Sequence, residues 1–210
     1  MTQDFSKQKI DELVAECDAK SRIITREFWD TMYDDRSAEV NYAMIRYFRP
    51  KVVVEYGAYL GRCTHDILQA LIDNGQPYVF KSYELNDDFR QLAQQGMEKV
   101  FGEKAIKIGG DVILAKDVPK KIDYLFLDHS HSAELSEWTW KSMIPKVKKG
   151  GIVQIHDIPL KNDYELGKDR GVFPETKQII EMHAKGTLPF EKLYWLFPEC
   201  GSEGSWWIKK

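Results

Sequence analysis

The sequence predicts an α/β fold: a seven-stranded, mainly parallel sheet with helices on both faces and an antiparallel hairpin at its C-terminal end. Three observations predict it. Between residues 51 and 157 short apolar runs alternate with stretches of helical periodicity, the pattern of parallel strands joined by crossover helices. Most of those runs end in an acid or a histidine, as strands do when their carboxyl ends line a site. Near the end of the chain the rhythm breaks: LYWLFPE (193–199) and SWWIKK (205–210) flank CGSEG, which reads as a hairpin.

Taken in order, Ile10, Leu13, Val14 and Cys17 share one face of a helix over 5–17. A less regular helix over 22–33 carries Ile23, Phe28, Trp29 and Met32, and a third over 36–48 carries Val40, Met44 and Phe48 before Pro50 closes it. KVVVE (51–55) is the first strand, and the helix over 61–73 has a stripe of Ile67, Leu68, Leu71 and Ile72. YVFKSYE (78–84) is the second strand. Asn86 then caps a helix with Phe89, Leu92, Ala93, Met97 and Val100 on one face. AIKI (105–108) and IDYLFLD (122–128) follow as strands, then a helix over 133–147 with Trp140, Met143, Ile144 and Val147, then GGIVQIHD (150–157) as the fifth strand. Right-handed crossovers place the crevice of such a sheet at the carboxyl ends of strands one and four, where the winding reverses.

With 210 residues and no repeat, low-complexity tract or linker, the reading is one main domain over 36–210 preceded by a helical cap over 1–35. A net charge of -3 carries no bias toward polyanions, so nucleic acid is not expected as a partner. No run approaches the ~18 apolar residues of a membrane span, and the first residues lack a signal-peptide core. The three cysteines, Cys17, Cys63 and Cys200, form no CxxC pair, which speaks against a disulfide framework or a structural zinc site. A cytoplasmic protein that does not bind membranes is the expectation, and a homo-oligomer is compatible with it.

The chemistry follows the strand ends. After the first strand come Glu55, Gly57 and Gly61. The spacing is not that of a dinucleotide-binding turn, and an acid one residue before the turn would repel a pyrophosphate at the helix end. It favours a ligand with a positive end, and the glycines let that ligand approach the backbone. Glu84, ending the second strand, is placed to accept hydrogen bonds from both hydroxyls of a ribose. A nucleoside joined to a cationic amino acid describes S-adenosylmethionine.

On these residues VVVEYGAYLGRCT resembles the first motif of class I S-adenosylmethionine-dependent methyltransferases, and EYGAYLG is similar to the catechol O-methyltransferase group. IDYLFLDHSHSAE and KKGGIVQIHDI resemble the small-molecule and sugar O-methyltransferases of the same branch, so the likeness covers roughly residues 36–160. It implies a Rossmann-like fold in which Glu55, Gly57 and Gly61 line the methionine end of the donor and Tyr59 lies nearby. Glu84 would hold the ribose, Asp111 would approach the adenine edge, and Asp128 would border the donor.

The resemblance also implies a metal held by an acid after strand four and an acidic or amide pair after strand five. Asp128 and Asp157 match, whereas His156 stands where an acid is usual. Magnesium prefers oxygen ligands, so the set Asp128, His156 and Asp157 suits Mg²⁺ only if His156 stands aside, and otherwise another divalent ion. A metal-free site in which Asp128 orients a base is the alternative.

His131 lies three residues after Asp128, and Asp-x-x-His recurs in sugar O-methyltransferases of this type. It is the first candidate for the base that deprotonates a small-molecule or sugar hydroxyl, with His129 the second. His65 and His183 read as surface or packing residues, and Trp138, Trp140, Trp206 and Trp207 as packing. The polar loop 158–174 reads as a lid, and residues 22–36, with Trp29, Tyr33, Asp34 and Asp35, as a second cover. Two competing functions fit the same residues. One is a metal-dependent hydrolase or oxygenase built on Asp128, His131, His156 and Asp157, and the other is a non-catalytic cofactor-binding protein.

Overall fold

The computed structural model describes residues 35–130, 132–156, 184–196 and 204–210, with positions 9, 12, 13, 15, 16, 177, 178, 181 and 182. The helix expected over 22–33, the loop 158–174, His131, Asp157 and His183 lie outside the described residues. Of the helix expected over 5–17, the five described positions are helical.

In chain order the elements are α1 (Asp35–Phe48), β1 (Val52–Tyr56), α2 (Arg62–Asn74), β2 (Val79–Tyr83), α3 (Asp87–Phe101), β3 (Ile108–Gly109), β4 (Ile122–Leu127), α4 (Ala133–Trp138), β5 (Val147–His156), β6 (Phe190–Leu196) and β7 (Gly204–Lys209). The seven strands and the alternation through β5 agree with the sequence. By contacts the chain divides into two compact units, Met1–Lys51 with Ala58–Lys116 and Val52–Gly57 with Asp117–Lys210.

In the first unit α1 and α2 pack together. Val40, Ala43, Met44 and Ile45 of α1 and Ile67, Leu68 and Leu71 of α2 are buried. α1 stops where Pro50 predicted: Arg49 turns left-handed at φ 49 and its N–H closes on Ile45 O at 3.0 Å. Asn86 caps α3 as expected, its side chain accepting the N–H groups of Asp88 and Phe89. β3 is shorter than AIKI suggested. It pairs with β2 in parallel through Ser82↔Ile108 and Tyr83↔Gly109 only. Ala105 caps the 3₁₀ turn Gly102–Lys104, and the side-chain amide of Gln94 takes the Ile106 carbonyl and the Ile108 N–H.

In the second unit the strand order is β1-β4-β5-β7-β6. β1, β4 and β5 are parallel, and β7 is antiparallel to both β5 and β6. The terminal hairpin therefore contributes one reversed strand, β7, while β6 runs with the others. The helix expected over 133–147 is corrected: α4 ends at Trp138 and gives way to a π turn, Thr139–Met143, and a 3₁₀ turn, Ile144–Lys146. Pro145 is the physical reason, since it has no N–H and its ring conflicts with the carbonyl four residues earlier. Among the described residues no helix is long and apolar enough to cross a membrane.

Candidate functional site

The residues singled out in the sequence fall in both units. In the first unit Glu84 directly follows β2 and is 9 % exposed. Its Oε2 accepts the Tyr59 N–H at 2.7 Å and its Oε1 accepts the Asn86 N–H at 2.8 Å. The main chain is fixed as well: Glu84 N–H donates to Gly109 O at 3.0 Å, and Glu84 O accepts from Arg90 Nη1 at 3.2 Å. Each carboxylate oxygen has two lone pairs. After its amide bond each keeps one, which is what a pair of neighbouring hydroxyls requires.

Tyr59 sits in the left-handed region at φ 48, a conformation that costs a non-glycine residue about 1–2 kcal/mol. Its ring meets Phe89 edge-on, with centroids 4.5 Å apart. Two residues on, Gly61 starts α2 at φ 90, and neither a capping side chain nor an acid stands in the first turn. The positive end of the helix dipole is therefore not offset by an acid within the helix's own first turn.

What the sequence did not suggest is the burial of the polar run that follows. Arg62, Cys63, Thr64, His65 and Asp66 are all buried. Asp66 Oδ1 receives Arg62 Nη1 at 3.3 Å and lies 2.7 Å from His65 Nδ1. His65, read as a surface or packing residue, is a packing residue whose ring lies 5.1 Å from that of Phe101.

Asp111 spends one carboxylate oxygen on its own turn, where Oδ1 accepts the Ile113 N–H at 2.8 Å. Ile113 and Leu114 beyond it, and Leu85 after Glu84, are 49 %, 77 % and 63 % exposed. Three large apolar side chains thus lie open after the ends of β2 and β3. The signal was present in the sequence, since VIL (112–114) is apolar inside a loop. A separate cleft of about 570 Å³, lined by Arg90, Gln94, Glu98 and Lys107 among others, contains none of the predicted residues.

In the second unit Glu55 is completely buried on β1, opposite Phe126 in register. Gly57 follows at φ 98, and a Cβ built there would lie 1.9 Å from the carbonyl oxygen of Asp128. The same backbone is held from the other side, with Asp128 N–H donating to Tyr56 O at 2.8 Å. Gly57 was read as room for a ligand, but the atoms occupying its missing side chain's place belong to Asp128. The Asp128 side chain meets the end of β5, its Oδ1 3.3 Å from His156 Nδ1.

At 3.3 Å the two side chains are in direct contact, within the range of a His–Asp ion pair. The pair fits a divalent ion with mixed nitrogen and oxygen preference better than it fits Mg²⁺. Among the described residues no group of three potential metal ligands is gathered, and Asp157 lies outside them.

His129 is 8 % exposed and tightly engaged. Nδ1 donates to Ser130 O at 2.8 Å, which leaves Nε2 to accept from Thr139 Oγ1 at 3.1 Å in the neutral ring. The ring lies 5.1 Å from that of Tyr56, and Trp138 meets Tyr56 at 5.9 Å. Both nitrogens have protein partners, an arrangement that suits a residue holding the Asp128 segment in place better than one exchanging a proton. Trp140, on Phe190 at 5.8 Å, packs as expected.

The family model of a methyltransferase domain matches residues 54–158, half of the chain. No curated protein sequence matches. Among solved structures, an O-methyltransferase from Bacillus cereus in complex with SAH is similar at TM-score 0.66 and 10 % identity, covering 100 % of this chain and 94 % of that one. SAH-bound PaMTH1 of Podospora anserina gives 0.62 and 15 %, covering 100 % and 99 %. The O-methyltransferase TomG from Streptomyces achromogenes, in complex with SAM, gives 0.64 and 10 %, covering 98 % and 91 %. At such identities the likeness is one of fold.

Proposed function

Because the chain belongs to the methyltransferase domain family, we propose that it is an S-adenosylmethionine-dependent O-methyltransferase acting on a hydroxyl of a small molecule or sugar. The observation that carries the donor half is Glu84: a nearly buried carboxylate at the end of β2, both oxygens aligned by backbone amides. In this reading it binds the ribose. Leu85, Ile113 and Leu114 offer apolar surface to the adenine, and Asp111 lies at its edge. The solved relatives bound to SAM or SAH support the choice of donor.

The reaction moves a methyl group in one displacement. The acceptor oxygen forms a bond to the methyl carbon, the carbon–sulfur bond breaks, and its electron pair neutralises the sulfonium. The hydroxyl proton must leave as the oxygen attacks, and His131 is assigned as its acceptor. His129 is assigned to positioning, since its ring nitrogens are already engaged. Asp128 and His156 would hold a divalent ion together with Asp157; when bound, such an ion lowers the pKa of a coordinated hydroxyl. Most of the rate enhancement then comes from holding oxygen and methyl in line.

The test has two steps. Calorimetry with S-adenosylhomocysteine should give micromolar binding to the wild type and at least tenfold weaker binding to Glu84→Ala, because both aligned acceptors are lost. Release of S-adenosylhomocysteine from S-adenosylmethionine is then followed against a panel of phenols and sugars, with and without Mn²⁺ or Mg²⁺. Asp128→Ala should abolish turnover. Unchanged affinity in Glu84→Ala would remove the donor assignment, and turnover indifferent to chelation would remove the metal.

A further inference from the structure

Four residues of the first unit close a ring of contacts. Glu84 Oε2 accepts the Tyr59 N–H, the Tyr59 ring meets the Phe89 ring, the Phe89 N–H donates to Asn86 Oδ1, and the Asn86 N–H donates to Glu84 Oε1. The weak point of this ring is Tyr59, whose φ of 48 is one that residues with a Cβ leave unless their surroundings over-determine it. Besides the turn closed across it by the Gly61 N–H on Ala58 O at 2.8 Å, two contacts hold it there: the Glu84 carboxylate on its N–H and the Phe89 ring, at an interplanar angle of 68°, on its side chain. Edge-to-face contact at this distance is orientation-specific, because the positive ring edge seeks the negative ring face. An aliphatic side chain would fill the space without fixing the angle.

We propose that Phe89 is a positioning residue for the methyl donor. Its ring holds Tyr59 left-handed, the Tyr59 N–H then holds one oxygen of Glu84, and Glu84 is presented to the donor already aligned. The inference rests on the donor reading given above. Phe89 is part of the helix face in the sequence pattern, and it is half-buried, so its other role is ordinary packing on α3. The two roles differ in what depends on Tyr59. Glycine adopts a positive φ without help, so in a Tyr59→Gly protein the ring at 89 has nothing left to hold.

The experiment is a double-mutant cycle read by calorimetry with S-adenosylhomocysteine on the full chain. Phe89→Ala should weaken binding about tenfold, and Phe89→Tyr, which keeps the ring, should stay within about twofold. In the Tyr59→Gly background Phe89→Ala should change affinity by less than about twofold. The Tyr59 amide proton, followed by NMR, should lose its carboxylate-bonded downfield shift in Phe89→Ala and keep it in Phe89→Tyr. Phe89→Leu is the variant to use if the alanine form does not fold, and it should behave as the alanine form does. Wild-type affinity in Phe89→Ala or Phe89→Leu, or an equal loss in both Tyr59 backgrounds, would overturn the proposal while leaving the donor site standing. A wild type that does not bind S-adenosylhomocysteine removes the donor reading itself.

Discussion

The carbonyl oxygen of Asp128 occupies the space that a side chain at Gly57 would need, 1.9 Å from the position of its Cβ. The first strand-end motif and the fourth are therefore packed backbone to backbone. Gly57→Ala must meet both this collision and a φ of 98, and no flexible side-chain end is available to yield. The expected cost is about 3 kcal/mol or more of folding stability. Gly75→Ala is the internal control: at φ 64 it has nothing within 4 Å of its Cβ, so it should lose only ~1 kcal/mol. Urea midpoints of the two variants decide this, and equal losses would show that strain alone, without Asp128, constrains Gly57.

The acid and glycine positions at the strand ends were legible because they interrupt an alternating pattern, and Glu84 directly follows β2 as that pattern predicted. The partners of that acid were not legible. That Tyr59 and Asn86 supply the amides depends on a left-handed residue and a cap, which periodicity does not report. The terminal hairpin was legible from turn residues, but the direction of β6 was not, since a hairpin fixes only the relation of its two strands. The break after Trp138 could have been read from Pro145, three to seven residues after the residues it disturbs. The buried run Arg62–Asp66 was illegible in principle: polar residues at a helix start look solvent-facing unless one knows that Asp66 gathers Arg62 and His65.

Lys209 gives a prediction in the second unit. Its Nζ donates to the carbonyls of Val147 at 2.7 Å, Ile144 at 3.0 Å and Pro145 at 3.4 Å. These carbonyls cluster around the C-terminal end of the 3₁₀ turn, where a cation is favoured, and Ile144 O also accepts the Val147 N–H. Lys209→Met keeps the stem and removes the charge, and should cost about 1–2 kcal/mol. Lys209→Arg should restore part of it. Thermal midpoints separate the three proteins, and a methionine variant as stable as wild type would mean that water serves those carbonyls equally well.

Gln94 plays a comparable part on β3. Its amide accepts the Ile108 N–H at 2.9 Å and donates to Ile106 O at 3.2 Å, so it pairs with the strand as a neighbouring backbone would. Removing it exposes strand groups that pair readily with another chain. Gln94→Ala should lower stability by about 1–2 kcal/mol and accelerate hydrogen exchange at Ile108 before it affects Met97, which is buried on the same helix. Exchange at Ile108 that matches the wild type would show that the amide contact does not protect the strand.

The alkaline limb of stability should carry the signature of Tyr42. Its hydroxyl lies 2.6 Å from Asp73 Oδ2 and 3.1 Å from Glu16 Oε1. Burial first, then the hydrogen bond to Asp73 and the charges of Asp73 and Glu16, hold its pKa far above the ordinary tyrosine value, with Arg46 opposing. The proton is therefore kept in the folded protein at pH values where the unfolded chain releases it. For a raised pKa the stabilisation is complete below the unfolded value, near 10, and is lost progressively as pH rises above it. Tyr42→Phe removes this proton from the balance. Between pH 10 and 11.5 wild-type stability should fall more steeply than that of the phenylalanine variant, by up to about 1.4 kcal/mol per pH unit. Below pH 9 the two slopes should be parallel, with the variant lower by the lost hydrogen bond. Urea titrations across this range measure both, and parallel slopes above pH 10 would mean that Tyr42 ionises in the folded protein as freely as in the unfolded chain.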